Sequence, residues 1–471
     1  MAKRFLPYDV EQQILLPPDM RAWLPESHLA LFVTDVVAAL DLSAIYRACS
    51  RKDDRGRAAY HPQMMVALLV YAYCVGKPSS RKIERATYED VAFRVLTADQ
   101  HPDHDSVAAF RKTHLPELAG LFKQVLLLCQ KAGLVKLGHV AIDGTKIGAN
   151  ASKHKAMSYD RMSATEQKLE AEVARLLEEA ERTDAEEDAR YGQGRRGNEL
   201  PAELARRESR LRKIREAKAA LEAEAKARAE AQALDAQAKL AERARQEAET
   251  GRKVGGKPPV VPDPAQAQPE PKAQRNFTDP DSRIMPDGAN KGSFLQGFNA
   301  QIAVDGAAQI IVAQDVNQQT NDKRQLVPMA EQIIENVGRL ADTTSADAGY
   351  FSEEAVNAEV LRGTELLVPP ERQKHGAVAP PTPTDAPAPA ETAKERMRER
   401  LRSETGAARY KMRKAIVEPV FGQLKDVRGF RRFSFRGLAK VRHEFALMAA
   451  THNLLKLFRY GTRPEVCPAS A

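Results

Sequence analysis

From residue 156 to residue 250 the chain is rich in Ala, Glu, Arg and Lys and carries one proline, Pro201. Such a stretch buries too little for a strand and suits helix throughout. Leu169, Val173, Leu176, Leu177 and Ala180 fall on one helical face, and Leu204, Leu211, Ile214 and Leu221 follow at spacings of seven, three and seven. Gly192, Gly194 and Gly197 make Tyr191–Asn198 a turn. The pattern predicts an inserted antiparallel coiled-coil hairpin over 156–250, followed by a Pro-rich linker over 251–275.

What flanks this hairpin reads as α/β. Residues 1–135 hold apolar clusters separated by Pro and polar turns: Pro62 opens one helix after His61, Ser79 or Ser80 caps one containing Ile83 and Val91, and Asp105 or Ser106 caps one through Phe110. These short helices with basic faces are candidates for binding DNA. Residues 136–155 contain an apolar strand that stops on Asp143 and turns at Gly144. Over 276–368, Phe298, Ala300, Ile302 and Val304 alternate, Asp305 and Gly306 turn, and Ile310–Val316 forms a second strand. A helix containing Leu326, Met329, Ile333 and Ile334, a strand ending at Asp347, and a strand over 364–368 complete the order β, insertion, β, β, α, β, α, β. A Pro/Ala-rich linker spans 369–394, a basic helical region 395–463, and a tail 464–471.

A chain of 471 residues has room for two to four domains of about 100–200 residues each. No apolar run approaches the roughly 18 residues that span a bilayer, and Met1–Asp9 lacks the apolar stretch of a signal peptide. Cys49, Cys74, Cys129 and Cys467 are scattered, so they form neither a zinc motif nor a disulfide framework. Cys74 and Cys129 fall in apolar helical runs and are expected to be buried. A cytoplasmic protein is expected.

Asp143 and Asp347 end strands, and Glu418 lies on a later helix. Phosphodiester cleavage and strand transfer need an activated oxygen and a stabilised phosphorus centre, which paired divalent ions about 3.5–4 Å apart supply. Mg²⁺ or Mn²⁺ takes carboxylate oxygens, so Asp143, Asp347 and Glu418 are the candidate ligands of a pair of ions. Asp322 and Asp315 are rivals for the second place. Asp322 precedes a periodic helix and is expected to serve as its N-cap. His139 stands alone and is expected to be structural.

Three segments resemble the DDE transposases of bacterial insertion sequences: Ala141-Ile-Asp143-Gly-Thr-Lys, Ala346-Asp347-Ala-Gly-Tyr350, and Tyr410 through Arg413 and Glu418 to Lys425. The resemblance extends to the helical N-terminal region and to Asn276–Arg283 and Gln296–Asn299. It implies a ribonuclease-H-like mixed sheet. It further implies that Glu418 is the third metal ligand and that Tyr410, Arg413 and Lys425 contact phosphates at the element's ends, as in the Tyr-Arg-Glu-Lys branch of that family. Four residues separate Arg413 from Glu418 where the family usually has three, and Lys414 stands at the usual spacing. The implied partners are terminal inverted repeats and target DNA, acted on by a homodimer on the nucleoid. The same residues also suit a structure-specific nuclease that cuts without joining, or an inactive DNA-binding regulator of the same descent.

Charge is uneven along the chain. The sum is +8, but residues 409–463 carry fourteen Lys and Arg against Glu418, Asp426 and Glu444, a local +11. Arg428, Arg431, Arg432 and Arg436 interleave with Phe430, Phe433 and Phe435. This stretch either grips DNA or anchors a turn by its aromatics while its arginines stay solvated.

Overall fold

A computed structural model of the chain describes residues 19–49, 59–191, 202–287, 292–371 and 392–461. The expectations for Met1–Asp9, residues 192–198, Cys467, the tail 464–471 and most of the linker 369–394 lie outside the described residues. Two compact units emerge: Met1–Ile147 with Asn299–Ala471, and Gly148–Phe298.

The first unit begins with helices α1 (Leu29–Ala39), α2 (Ser43–Cys49), α3 (Pro62–Cys74), α4 (Ser80–Glu89), α5 (Val91–Leu96), α6 (His104–Thr113) and α7 (Leu115–Lys131). Pro62 opens α3, which is buried from Met65 to Cys74. The helix expected to hold both Ile83 and Val91 is two helices, because the Asp90 carboxylate accepts the Ala92 N–H at 3.0 Å and starts α5. Asp103, rather than Asp105 or Ser106, caps α6 by accepting the Ser106 N–H at 2.7 Å. Cys74 and Cys129 are buried free thiols, and burial pushes both up to about 12. Among the described residues no single helix is long and apolar enough to cross a membrane.

In chain order there follow β1 (His139–Gly148), β2 (Ala156–Ser158), α8 (Tyr159–Tyr191), α9 (Ala202–Thr250), β3 (Gln274–Asn276), β4 (Arg283–Pro286), β5 (Phe294–Asp305), β6 (Ile310–Asn317) and α10 (Leu326–Val337). Then come β7 (Thr343–Ala346), α11 (Glu353–Val356), β8 (Glu365–Leu367), α12 (Ala393–Arg402), α13 (Glu404–Gly422), a π-helical turn over Gln423–Val427, and α14 (Leu438–Tyr460). The sheet of the first unit has the order β6-β5-β1-β7-β8. Strands β5 and β6 are antiparallel, whereas β7 runs parallel to β1 and β8 to β7. This is the mixed, ribonuclease-H-like arrangement.

Two local expectations are corrected. Strand β1 does not end at Asp143 but runs on to Gly148, because β5 lies alongside it. Gly144 is therefore no turn. A Cβ there would stand 2.4 Å from Gln301 Nε2 and 2.9 Å from Asp322 Oδ1, so glycine is needed for close approach. Nor does Asp322 cap the following helix, since Gln325 holds the N-cap position of α10 without a side-chain bond.

Helix α14 joins the N-terminal helices to the sheet by packing on α7, α3 and β6. Its periodicity predicts one buried face, yet every residue from Glu444 to Leu454 is buried because neighbours surround it. Inside, Asn453 acts as a short strand: its Nδ2 donates to the Ile311 carbonyl at 2.8 Å and its Oδ1 accepts the Ile311 N–H at 2.8 Å. The β5–β6 register shifts at Ala303/Val304, opposite Ile311, which gives Asn453 its place.

In the second unit α8 and α9 pack through Met162, Leu169, Leu211, Ile214, Ala217 and Leu221. Ion pairs Glu166–Lys218 (2.9 Å), Glu166–Arg215 (3.2 Å) and Glu172–Arg207 (3.4 Å) run in antiparallel sense. Leu177, expected on this inner face, is instead 41% exposed. The chain's return is fastened by Glu224, which pairs with Arg275 at 2.6 Å and Arg283 at 3.1 Å.

Replacing Asn453 by Leu should destabilise the protein by about 2–4 kcal/mol in denaturant unfolding, since it strands two backbone groups of Ile311 in a buried place. An unchanged midpoint would show that β6 does not need this bond.

Candidate active site

The parallel register of β1 and β7 runs His139↔Thr343 to Ile142↔Ala346. The next residue in each segment is Asp143, within β1, and Asp347, just past the end of β7, and strands so paired lie about 4.8 Å apart. Two carboxylates so placed repel unless a cation joins them. Arg413 of α13 does so: its guanidinium donates to Asp143 Oδ2 at 2.8 Å and stands 3.9 Å from Asp347 Oδ1.

Burial sets the electrostatics. Asp143 is 23% exposed and Asp347 49%, while Arg413 is 7% exposed. Burial pushes the Asp143 carboxyl above its ordinary range, against the pull of Arg413. Burial opposes the charge on Arg413, but Asp143, Tyr410 and Asp347 outweigh it and raise the guanidinium above its usual value. The Arg413 guanidinium lies 5.9 Å from the Tyr410 ring centroid. Further along the same polypeptide, Lys425 Nζ donates to Thr145 Oγ1 at 2.6 Å. The segment from Arg413 to Lys425 is thus tied to β1 at both ends.

Glu418 lies between those two ties and is exposed. The structure brings Asp143 and Asp347 together but does not place Glu418 with them. Among the described residues no three His, Cys, Asp or Glu side chains converge as a metal cluster. The helix is irregular beside Glu418, with Pro419 inside it and the π-helical turn beginning at Gln423. Asp143 and Asp347 fit a divalent ion in donor chemistry, because both are oxygen ligands and already share one cation. Asp315 is engaged elsewhere, pairing with Arg442 at 2.9 Å. His139 is bonded to Ser345 Oγ at 2.8 Å, in a structural position.

A set of polar residues beside the aspartates escapes a reading of the sequence alone. Asp322 Oδ1 accepts the Asn299 and Gln301 side-chain amides, each at 2.7 Å, and lies 3.7 Å from Lys146 Nζ. Tyr350, three residues past Asp347, donates its hydroxyl to Gln301 Oε1. The available signal is Asn299 and Gln301 themselves, two amides at alternate positions within the apolar alternation of β5, both fully buried.

The basic stretch divides. Arg428 is 3% exposed and donates to Thr451 Oγ1 at 2.8 Å and the Met448 carbonyl at 3.1 Å, so it has no surface to offer DNA. Burial lowers it to about 10. Phe430 and Phe433 are buried as well, which favours the anchoring reading of the aromatics. Lys414, Arg431, Arg432 and Arg436 are exposed, and Arg431 pairs with Asp426.

Residues 264–454 match the family model described as "Transposase DDE domain", and residues 18–113 match the one described as "Transposase domain (DUF772)". The chain belongs to the DDE transposases. No curated protein and no solved structure matches it. Asp347 and Glu418 of the transposase lie inside the DDE match, whereas Asp143 precedes it, since the match begins at residue 264, within the second unit.

Two substitutions should separate the arginines of the transposase. Arg428→Met should lower stability by about 3 kcal/mol, as a buried charged hydrogen-bond donor is removed, and leave the salt dependence of DNA binding unchanged. Arg432→Glu should leave the unfolding midpoint in place and reduce the slope of log K against log salt by about 0.9 for each phosphate that Arg432 neutralises. The opposite assignment of effects would place Arg432 inside the fold's machinery and Arg428 on the DNA.

Proposed function

We propose that the transposase cleaves DNA at the ends of its element and joins the released 3′ hydroxyls to target DNA, with Asp143, Asp347 and Glu418 holding a pair of Mg²⁺ or Mn²⁺ ions. The observation that carries this reading is the adjacency of Asp143 and Asp347 around a shared cation. When bound, the ions activate the attacking oxygen and offset charge at phosphorus. Arg413 is a planar fork that pairs as readily with phosphate as with carboxylate. Tyr410 and Lys425 carry further donors on the same helical segment, and Lys414, Arg431, Arg432 and Arg436 extend the positive surface along the DNA. Glu418, solvent-facing between the ties at Arg413 and Lys425, completes the ligand set once DNA and ions are present.

The remaining assignments belong to the same proposal. Helices of residues 1–135 bind the inverted repeats; on α4 the exposed Arg81 and Lys82 support this. Residues 136–155, 276–368 and 395–463 build the catalytic core. The hairpin of α8 and α9 serves contacts within a homodimer, since joining two element ends calls for two subunits. The protein acts on the nucleoid.

The test is cleavage and joining of a labelled duplex carrying the DNA that flanks the gene. Wild type should cut and join with Mg²⁺ or Mn²⁺, and Asp143→Ala, Asp347→Ala and Glu418→Ala should each fall to background while still binding. Cutting without joining would establish a nuclease instead. Binding without turnover in any metal would establish a regulator.

A further inference from the structure

Behind the carboxylates lies a polar chain that connects the middle of β1, where Asp143 sits, to the turn that follows β7, which Asp347 opens. Asn299 and Gln301 of β5 are fully buried, and both donate to Asp322 Oδ1 at 2.7 Å. With its amide nitrogen committed to Asp322, Gln301 turns its oxygen toward Tyr350, whose hydroxyl it accepts. Tyr350 is 1% exposed and closes the short turn that follows Asp347. At the other end, Gly144 follows Asp143 directly, and its absent side chain leaves the room that Gln301 and Asp322 fill. Lys146, 16% exposed and 3.7 Å from Asp322, balances the carboxylate as an ion pair without a close hydrogen bond.

We propose that Asp322 is a positioning residue of the active site, which sets the spacing of Asp143 and Asp347 through Gln301 and Tyr350. This rests on the metal-dependent reading above. Every donor and acceptor in the chain has a fixed sense: a carboxylate takes two amide N–H groups, one of those amides is thereby oriented, and its oxygen takes a phenol O–H. Reversing any member reverses the next. An Asn at 322 could set its own NH₂ against the amides of Asn299 and Gln301, so Gln301 would lose its reason to face oxygen toward Tyr350. Asp322 is a poor ion ligand by comparison, because the oxygen nearest Gly144 already serves two amides and Lys146. Residues that orient metal ligands in this way typically govern affinity by about 10–100-fold.

Tyr350→Phe is the cleanest variant, as it removes one oxygen and keeps the ring. Calorimetric Mn²⁺ titration of the full chain with end DNA should show affinity weakened about ten-fold or more, while DNA affinity stays near wild type and the protein remains folded with an unfolding midpoint lowered by the one buried Gln301 acceptor left without a donor. Asp322→Asn should weaken Mn²⁺ similarly, and the double variant should be no worse than Asp322→Asn alone, since both act along one chain. Unchanged Mn²⁺ affinity in folded Tyr350→Phe would overturn the proposal. So would additive losses, or an Asp322→Cys variant that gains Cd²⁺ affinity, which would make Asp322 a ligand. Wild type that binds no Mn²⁺ would instead overturn the metal-dependent reading itself, and the proposal with it.

Discussion

Parallel pairing of β1 with β7 is the constraint on which the site depends. Its register carries Asp143 and Asp347 side by side, and that adjacency has an electrostatic cost that the fold must offset. Arg413 offsets it from α13, and in doing so fixes where that helix lies against β1. Lys425 makes the second tie at Thr145. A guanidinium between two carboxylates also marks a place whose charge suits a cation, which supports the metal ligands proposed for it.

The rest of the fold keeps that register undisturbed. Helix α14, enclosed by α7, α3 and β6, ties the N-terminal helices to the sheet, and Asn453 bonds to β6 where its pairing with β5 shifts. The long helical unit enters after β1 and leaves through β5. Within that unit the Ala149 N–H donates to the Gln296 carbonyl at 2.8 Å, so the two chain arms run together at its base. An insertion whose ends are already adjacent costs little loop entropy however long it grows.

Much of this is legible in the residues. Periodicity locates both long helices, and the alternation around Phe298–Val304 and the apolar run at Ile310 locate β5 and β6. The order of elements then implies the mixed sheet. What the patterns miss has a common cause: they register local chain preferences, not what a distant strand places next to a residue. Asp143 beside Gly144 looks like a turn because Asp-Gly usually is one, but β5 extends β1 past it. Asp322 before an apolar helix looks like a cap, yet two buried amides from β5 claim its carboxylate. Arg428 looks like part of a basic surface, and only the packing of α3 and α14 reveals its acceptors. Glu418 stands out by its motif, which says nothing about its being exposed on α13.

Asp143, Asp347 and Glu418 are proposed to become one ligand set. Electron paramagnetic resonance of Mn²⁺ bound to the transposase with end DNA tests it most directly. A spectrum of two coupled ions in wild type, reduced to uncoupled or free Mn²⁺ by Glu418→Gln, is the predicted result. A coupled spectrum left intact by Glu418→Gln would show that Glu418 holds neither ion.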